Sequence, residues 1–326
     1  MRRSSFEPEA DCAIAQSLGV IGDGWELLIV RDLARGVDRF DQLAGSLHIS
    51  RKVLNERLVG LIDSGIVERS AYQDHPPRYA YSLTPRGRAL LPVLVALQDW
   101  GDRWLLGDGS LTGTNDADEP PAHRVHELVG QRVPYVQLPA YGVPGRLSAP
   151  AEGGTTVDAD ARARGGSTAS GVDDADTRAT GGRTVDVVDA GARATVLFGY
   201  PATGRPTPLP DGWGEIAGAS GCTLENRLFA GRYDDFVAKG VAVRGVSTQR
   251  PDEQVAFARA EEIPHVLLSD QDLGLAAALR LPTFRAGGYE RLKRVVLVVG
   301  NDRIIRATRY PVTDIAEAVD WALAVA

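Results

Sequence analysis

Over the first hundred residues the hydrophobic positions recur with the period of helices. Apolar side chains repeat at helical spacing over Arg39–Leu47 and again over Arg51–Ile62, and Ser50 between them is suited to cap the second helix. Two short strands, Ile66–Ser70 and Tyr79–Leu83, follow on either side of a proline-containing turn. A helix-turn-helix followed by a β-hairpin predicts a winged helix, whose second helix can enter a DNA major groove.

The pattern changes beyond about residue 125, where buried strands alternate with amphipathic helices. Thr195–Tyr200 and Val295–Val299 are short apolar runs typical of buried strands, and Pro251–Glu262 has helical spacing. This alternation predicts a layered α/β sheet. Residues 107–124, rich in Gly, Asp, Thr and Pro, predict a linker, and residues 148–183 lack apolar periodicity, which predicts a disordered insertion.

Length and composition favour a two-domain chain. A length of 326 residues exceeds what one core usually holds, so we expect domains over 1–106 and 125–326. Two distant cysteines, the lack of a long apolar run and the lack of a hydrophobic leader predict a cytoplasmic protein without a membrane partner. The net charge of −7 does not by itself indicate DNA binding, which depends on local charge. No pattern predicts a cofactor or a metal, since His123 and His126 lack further ligands.

Cys222 lies where a strand and its turn give way to a helix that begins near Thr223. A thiol in the first turn of a helix lies among unpaired backbone N–H groups, which stabilise the nucleophilic thiolate. We therefore expect the pKa of Cys222 to be lowered. The alternative is a small buried hydrophobic residue, and the spacing alone leaves both interpretations open.

Several motifs around Cys222 recur in an order that resembles the peroxiredoxins, above all their bacterioferritin-comigratory branch. They are Phe198–Pro201, Gly221–Glu225, Arg232–Phe236, Gly245–Ser247, Leu267–Asp270 and Lys293–Val299. The resemblance implies a thioredoxin-like fold, in which Cys222 is the peroxide-attacking thiolate and Arg294 the cation beside it. A guanidinium suits that role because it stays charged and donates to both thiolate and peroxide oxygen.

Two positions depart from the peroxiredoxin pattern. Ala219 stands where the family usually has a Thr or Ser hydroxyl that orients the peroxide, and Arg227 stands where many members carry a resolving cysteine. Oxidation of Cys222 should therefore stop at a sulfenic acid until another thiol arrives. That partner would be a small thiol, a reductant protein or Cys12, the only other cysteine in the chain.

The front of the chain resembles the HxlR family of bacterial winged-helix regulators. The matching pieces include Ile21–Leu33, Ser50–Leu54, Gly65–Val67 and Tyr81–Thr84, and Leu90–Trp104 matches the family's dimerisation helix. The resemblance implies DNA contacts from the second helix and the wing, and Cys12 matches a cysteine that some members use as an oxidation sensor. A buried interface residue is the alternative for Cys12. Asp23–Gly24 departs from the family's common Gly-Lys. The predicted DNA-binding residues are Ser50, Arg51, Lys52, Asn55, Arg57, Arg69 and Arg78.

The sequence thus predicts a multidomain chain, an α+β winged helix-turn-helix followed by an α/β thioredoxin-like (peroxiredoxin) domain. One hypothesis is a homodimeric transcriptional regulator that binds a double-stranded DNA operator and senses hydrogen or organic peroxide through Cys222. The alternative is a one-cysteine thiol peroxidase that depends on a thiol reductant and carries a regulator domain. A third hypothesis is that Ala219 marks an inactive module that serves only in assembly. Stoichiometry separates the first two, because a sensor consumes about one peroxide whereas an enzyme turns over.

Overall fold

The computed structural model describes residues 11–73, 75, 77–141, 183–204 and 207–326. Its first region contains six helices and one hairpin, and the hairpin follows the two helices that the apolar pattern predicts. The helices are α1 (Ala13–Ile21), α2 (Gly24–Ala34), α3 (Phe40–Leu47), α4 (Arg51–Asp63), α5 (Pro85–Arg88) and α6 (Leu91–Trp104), and the hairpin is β1 (Val67–Gln73) with β2 (Arg78–Leu83).

The helix-turn-helix and its wing confirm the predicted winged helix. The Ser50 hydroxyl caps α4 by accepting a hydrogen bond from the Val53 backbone N–H at 3.3 Å. Ile29, Leu43 and Leu54 are fully buried between α2, α3 and α4. The wing strands pair antiparallel from Val67 opposite Leu83 to the turn. This packing leaves the polar side of α4 in solvent.

The second region is built around a seven-stranded mixed sheet, and it has the thioredoxin-like fold that the sequence predicts. The strands are β3 (Gln137–Tyr141), β4 (Arg183–Asp186), β5 (Ala194–Gly199), β6 (Val241–Ser247), β7 (Val266–Ser269), β10 (Val295–Gly300) and β11 (Ile305–Arg309), with a separate hairpin of β8 (Thr283–Ala286) and β9 (Tyr289–Leu292). Their order in the sheet is β11-β10-β5-β6-β7-β3-β4. The strands β5, β6 and β7 are parallel, and the others pair antiparallel.

Helices cover this sheet and fix the element that carries the second cysteine. They are α7 (Pro120–His126), α8 (Cys222–Gly231), α9 (Tyr233–Ala238), α10 (Pro251–Ala260), α11 (Gly274–Leu279) and α12 (Ile315–Val325). Phe198 of β5 stacks on Phe229 of α8 with ring centroids 4.1 Å apart. Burial of these rings orients the start of α8 toward the end of β5.

Three local features differ from the sequence prediction. In sequence, Val129–Leu138 resembles the opening strand of a peroxiredoxin domain, but the strand begins only at Gln137, because the preceding chain bonds to the loop that carries Arg303. Leu224 and Val237 fall on one apolar face at helical spacing in the sequence, but the helix at Cys222 ends at Gly231 and a second one follows, and both side chains are exposed. The β8–β9 hairpin has no counterpart in the apolar pattern.

The two regions touch each other through helices and through the segment between them. Helix α11 packs against α2 and α6, and the Gln98 side-chain amide donates to the Leu281 carbonyl at 2.9 Å. Gly107–Glu119 forms no helix or strand, whereas α7 begins within the residues predicted as linker and ends two residues beyond them, at His126. The predicted insertion at 148–183 lies outside the described residues except for Arg183, which begins β4.

In the part of the chain that the structure describes, no single helix is both long and apolar enough to cross a membrane. Only α1 and α2 taken together pass that test, and they are bent by 75° at the break between them.

Candidate thiol site and DNA-binding face

Cys222 is the first residue of α8 and is only 3% exposed. The chain enters this helix through Gly221, whose φ of +104° lies in the left-handed region that disfavours side chains. A Cβ at Gly221 would also lie 2.8 Å from Cδ1 of Ile315. Glycine at 221 is therefore what lets α12 close over the helix start and bury the thiol.

Arg294 lies directly against the thiol, as the peroxiredoxin resemblance implies. Its Nη2 is 3.3 Å from Cys222 Sγ, and it immediately precedes β10. The same guanidinium donates through Nε to Glu225 Oε2 at 2.7 Å, and through its other nitrogens to the carbonyls of Gly218 at 2.7 Å and Ser220 at 3.1 Å. Four acceptors thus hold one guanidinium in a single orientation, which positions it for charged hydrogen bonding.

The electrostatics of the thiol differ from the sequence expectation. Burial raises the pKa of the Cys222 thiol to about 11. The Arg294 guanidinium and a hydrogen bond from the Ala202 backbone N–H act in the opposite direction, while the Glu225 charge raises the pKa further. The expected lowering of the pKa is therefore not found, because burial destabilises the thiolate by more than the one guanidinium, which Cys222 shares with three other acceptors, stabilises it.

Glu225 is a further residue of the thiol site, and no role for it was predicted from the sequence. Its carboxylate is 1% exposed, and burial raises its pKa to about 7 although Arg294 lowers it. Its position three residues after Cys222 places it on the same helix face, which is a signal that the sequence did contain. Tyr200, which is also fully buried, has a phenol pKa raised mainly by burial and further by the charges of Cys222 and Glu225.

The two departures from the peroxiredoxin pattern have clear structural settings. Ala219 is buried, and its carbonyl accepts hydrogen bonds from the Trp213 indole N–H at 3.2 Å and from the Cys222 thiol at 3.6 Å. Arg227 is exposed and donates to Glu261 at 2.6 Å. Cys12 and Cys222 are both free thiols, and Cys12 is the partly exposed N-cap of α1.

The predicted DNA-binding residues on α4 divide into two groups. Ser50, Arg51, Lys52 and Asn55 are exposed along one side of the helix start. Arg51 also pairs with Asp41 at 2.5 Å. Arg57 is half-buried, and its Nη2 donates to Asp23 Oδ2 at 2.7 Å. The same aspartate caps α2, so the departure at Asp23 ties α2 to α4 and neutralises a cation of the recognition helix.

The wing carries the remaining two predicted contacts. Arg69 of β1 is exposed, and its guanidinium lies 4.7 Å above the centre of the Tyr79 ring. Arg78 begins β2 and is also exposed. Both cations therefore remain accessible to a phosphate backbone.

These features define the class of protein, a winged helix-turn-helix joined to a thioredoxin-like domain with a buried thiol beside an arginine. Comparison with known families gives the same answer. Residues 20–108 match the HxlR-like helix-turn-helix family and residues 216–308 match the AhpC/TSA family. The chain belongs to the HxlR-like helix-turn-helix family and carries an AhpC/TSA-family domain.

Three similar transcriptional regulators each match about a third of the chain. An uncharacterized HTH-type transcriptional regulator of Mycobacterium tuberculosis is 41% identical over 100 residues, which cover 31% of this chain and 61% of the relative. Another, of Synechocystis sp., is 40% identical over 101 residues, 31% of this chain and 75% of the relative. YvaP of Bacillus subtilis is 35% identical over 106 residues, 32% of this chain and 94% of that regulator. The chain thus spans about three fifths of the mycobacterial relative.

Two solved structures are also similar to part of the chain. Peroxidoxin BcpB from Mycobacterium tuberculosis has 20% identity and a TM-score of 0.41, covering 60% of this chain and 94% of that one. A structure of peroxiredoxin Q from Xanthomonas campestris has 20% identity and a TM-score of 0.36, covering 44% of this chain and 84% of that one.

Proposed function

We propose that this chain is a DNA-binding transcriptional regulator whose peroxiredoxin-like domain reacts with peroxide through Cys222 and thereby changes operator binding. The observation that carries the proposal is the 3.3 Å contact between Cys222 Sγ and a guanidinium fixed by three further acceptors. A buried arginine in this setting stabilises negative charge on sulfur and on the departing peroxide oxygen. Oxidation would occur in the same chain that holds the winged helix.

The proposed reaction converts the thiol of Cys222 to a sulfenic acid. The thiolate attacks one peroxide oxygen, the O–O bond breaks as the S–O bond forms, and the proton of the thiol leaves with the other oxygen as water or, for an organic peroxide, as an alcohol. Because α8 carries Arg227 at the position of a resolving cysteine, the sulfenic acid then awaits a thiol from elsewhere. That thiol would displace water to form a disulfide, and a second thiol would restore Cys222.

The DNA-binding half of the proposal concerns a homodimer on a double-stranded operator. Leu97, Trp100 and Trp104 of α6 are each about half exposed, and Ile14 and Leu18 of α1 are also exposed. A second copy of the chain would cover the apolar surface that Leu97, Trp100 and Trp104 form on α6. A two-fold dimer would place two α4 helices on half-sites about one helical turn of DNA apart. Sedimentation of the purified protein tests the dimer directly.

A duplex selected by the protein from a random pool supplies the probe for DNA binding. Replacing Arg51 and Lys52 together with Ala should weaken binding to that duplex and reduce the slope of log K against log salt by about 0.9 per lost phosphate contact. Lys239→Ala, which alters the other domain, is the matched control. An unchanged slope in the double variant would remove these two residues from the DNA interface.

A one-cysteine thiol peroxidase is the second candidate function, favoured by the same Cys222–Arg294 contact. Peroxide consumption measured with and without added thiol separates the two. Consumption of about one peroxide per chain, together with altered binding of the selected duplex, supports the regulator. Sustained turnover with unaltered DNA binding supports the enzyme. Mass spectrometry after one equivalent of peroxide shows whether the partner thiol is Cys12 or a small molecule.

A further inference from the structure

The connecting segment Gly107–Glu119 does not run free between the two regions but lies against the thiol site. From its contacts we infer that Gly113 and Asn115 are positioning residues for Cys222, and that they connect the thiol to α6. The inference that this connection serves regulation rests on the proposed function. The positioning itself rests on two independent sets of contacts.

The first set holds the loop that precedes Cys222. The Gly113 backbone N–H donates to the Ala217 carbonyl at 2.8 Å. The approach is close, because a Cβ on Gly113 would lie 2.9 Å from Ala219 N and 3.0 Å from Gly218 C. Thr114 packs on the other side, since a Cβ built on Gly218 would lie 2.7 Å from the Thr114 Cβ. The segment therefore fixes the backbone of this loop.

That loop supplies two of the four acceptors around Arg294. The carbonyl of Gly218 accepts a hydrogen bond from Arg294 Nη1, and the carbonyl of Ser220 accepts one from Nη2, the nitrogen that also contacts Cys222. A shift of the loop by a few tenths of an ångström changes these bonds. Arg294 is the group that most strongly stabilises the Cys222 thiolate. The placement of Gly113 therefore controls how closely the guanidinium approaches the sulfur and how much it stabilises the thiolate.

The second set holds the residue next to Arg294 in the chain. Lys293 is 6% exposed, and its ammonium donates to Asn115 Oδ1 at 2.8 Å. The Tyr310 hydroxyl donates to the same oxygen, and Asn115 Nδ2 donates to Glu119 Oε2 at 2.6 Å. One amide of the connecting segment thus anchors the backbone from which Arg294 projects.

The other end of the segment is attached to α6. Arg103 Nε donates to the Gly109 carbonyl at 2.6 Å, and Gly109 lies against the Trp104 ring. Trp104 belongs to the apolar surface that the proposed dimer would cover. A shift at one end of the segment would therefore be transmitted to the other end through about ten residues, and in binding free energy such coupling is reciprocal.

The test measures the nucleophilicity of Cys222 in the full-length protein with Cys12→Ser, so that one thiol reacts. Gly113→Ala places a methyl group against the loop, and Gly231→Ala, where a Cβ meets nothing within 4 Å, is the matched control. We expect Gly113→Ala to slow alkylation by iodoacetamide and oxidation by hydrogen peroxide about tenfold at fixed pH, and to move the pH profile of alkylation upward. Gly231→Ala should match the parent.

Asn115→Ala provides a second variant that adds no atoms, with exposed Asp116→Ala as its control. We expect the same upward pH shift in Asn115→Ala, with an unchanged circular dichroism spectrum. Rates and profiles equal to the parent in both test variants would overturn the inference, as would faster reaction, since the segment would then only cover the thiol. If the parent is alkylated but does not react with peroxide, the proposed function fails while the positioning can still be judged.

Addition of the selected duplex tests the connection to α6. It should change the alkylation rate of the parent by at least severalfold and leave that of Asn115→Ala nearly unchanged. Equal effects of the duplex on both proteins would show that coupling takes another route.

Discussion

Cys12 and Cys222 each stand at the start of a helix, yet their surroundings have little in common. Cys12 caps α1 from a partly exposed position, and its sulfur accepts a hydrogen bond from the Ala15 backbone N–H at 3.4 Å. Cys222 is buried, and its sulfur faces a guanidinium that is bonded to a carboxylate and two carbonyls. A position at the start of a helix therefore does not by itself distinguish a cysteine that only caps the helix from one that forms a chemical site. What distinguishes the site is a cation whose position is fixed by residues distant in sequence.

The contrast between Cys12 and Cys222 would be wrong if both thiols reacted equally fast with peroxide. Cys222→Ser should abolish the fast reaction of the protein with hydrogen peroxide, because the other cysteine, Cys12, caps α1 and does not contact Arg294. Cys12→Ser should keep it. Stopped-flow kinetics combined with chemical trapping of sulfenic acid measures both variants. Equal fast phases in wild type and Cys222→Ser would contradict the assignment of Cys222.

The pH dependence should be the next largest effect. Only the thiolate attacks, and with a pKa of about 11 its fraction rises about tenfold for each pH unit below that value. The oxidation rate at Cys222 should therefore rise about a hundredfold between pH 7 and pH 9. Glu225→Gln removes a charge that raises this pKa, so the variant should react faster at a given pH. An oxidation rate that no longer rises with pH above neutral would show that Arg294 lowers the pKa of Cys222 by more than burial raises it.

A smaller effect should follow from a change in the cation. Arg294→Lys keeps the charge but removes the fork that reaches Glu225, two carbonyls and the sulfur at once. We expect oxidation at fixed pH to slow by about tenfold, since one charged hydrogen bond is worth about that factor. Arg309→Lys, in which an ion pair with Glu317 is altered on β11, is the control. Equal rates in the two variants would mean that the guanidinium geometry has no influence.

The smallest expected effect lies at the other cysteine. Sulfur is a weak acceptor, so Cys12→Ser should improve the cap of α1 and stabilise the protein by about 0.5 kcal/mol. Thermal unfolding of this variant should shift upward by about 1–2 °C, and Cys12→Ala should not show the gain. A loss of stability in Cys12→Ser would indicate that the thiol packs in a way that the cap contact does not explain.

Local patterns account for the parts of the fold that the sequence predicted well. The recognition helix follows from a Ser cap and apolar spacing, and the observed α4 differs from the prediction by one residue at its end. The fold class is confirmed in both regions. Arg294 was found only through family resemblance, because 72 residues separate it from Cys222 and no periodicity links them.

The sign of the thiol pKa could not be predicted from local sequence. A helix start and a nearby arginine are visible in the sequence, but the packing of Ile315 that closes the site is not. Glu225 was within reach of helical spacing, whereas the approach of Gly113 to the loop before Cys222 depends on tertiary packing. Elements follow from periodicity, and the balance of charge and burial follows only from the assembled molecule.

Arg227, which is exposed and pairs with Glu261, also affects how long an oxidised state would last. Because α8 holds an arginine where a resolving cysteine would stand, no thiol on this helix can convert the sulfenic acid of Cys222 to a disulfide. In the proposed function, the lifetime of the sulfenic acid is then set by the arrival of a thiol from outside α8, either Cys12 or a separate reductant. If the thiol is a separate reductant, its concentration would determine how long the protein stays oxidised after the peroxide has gone.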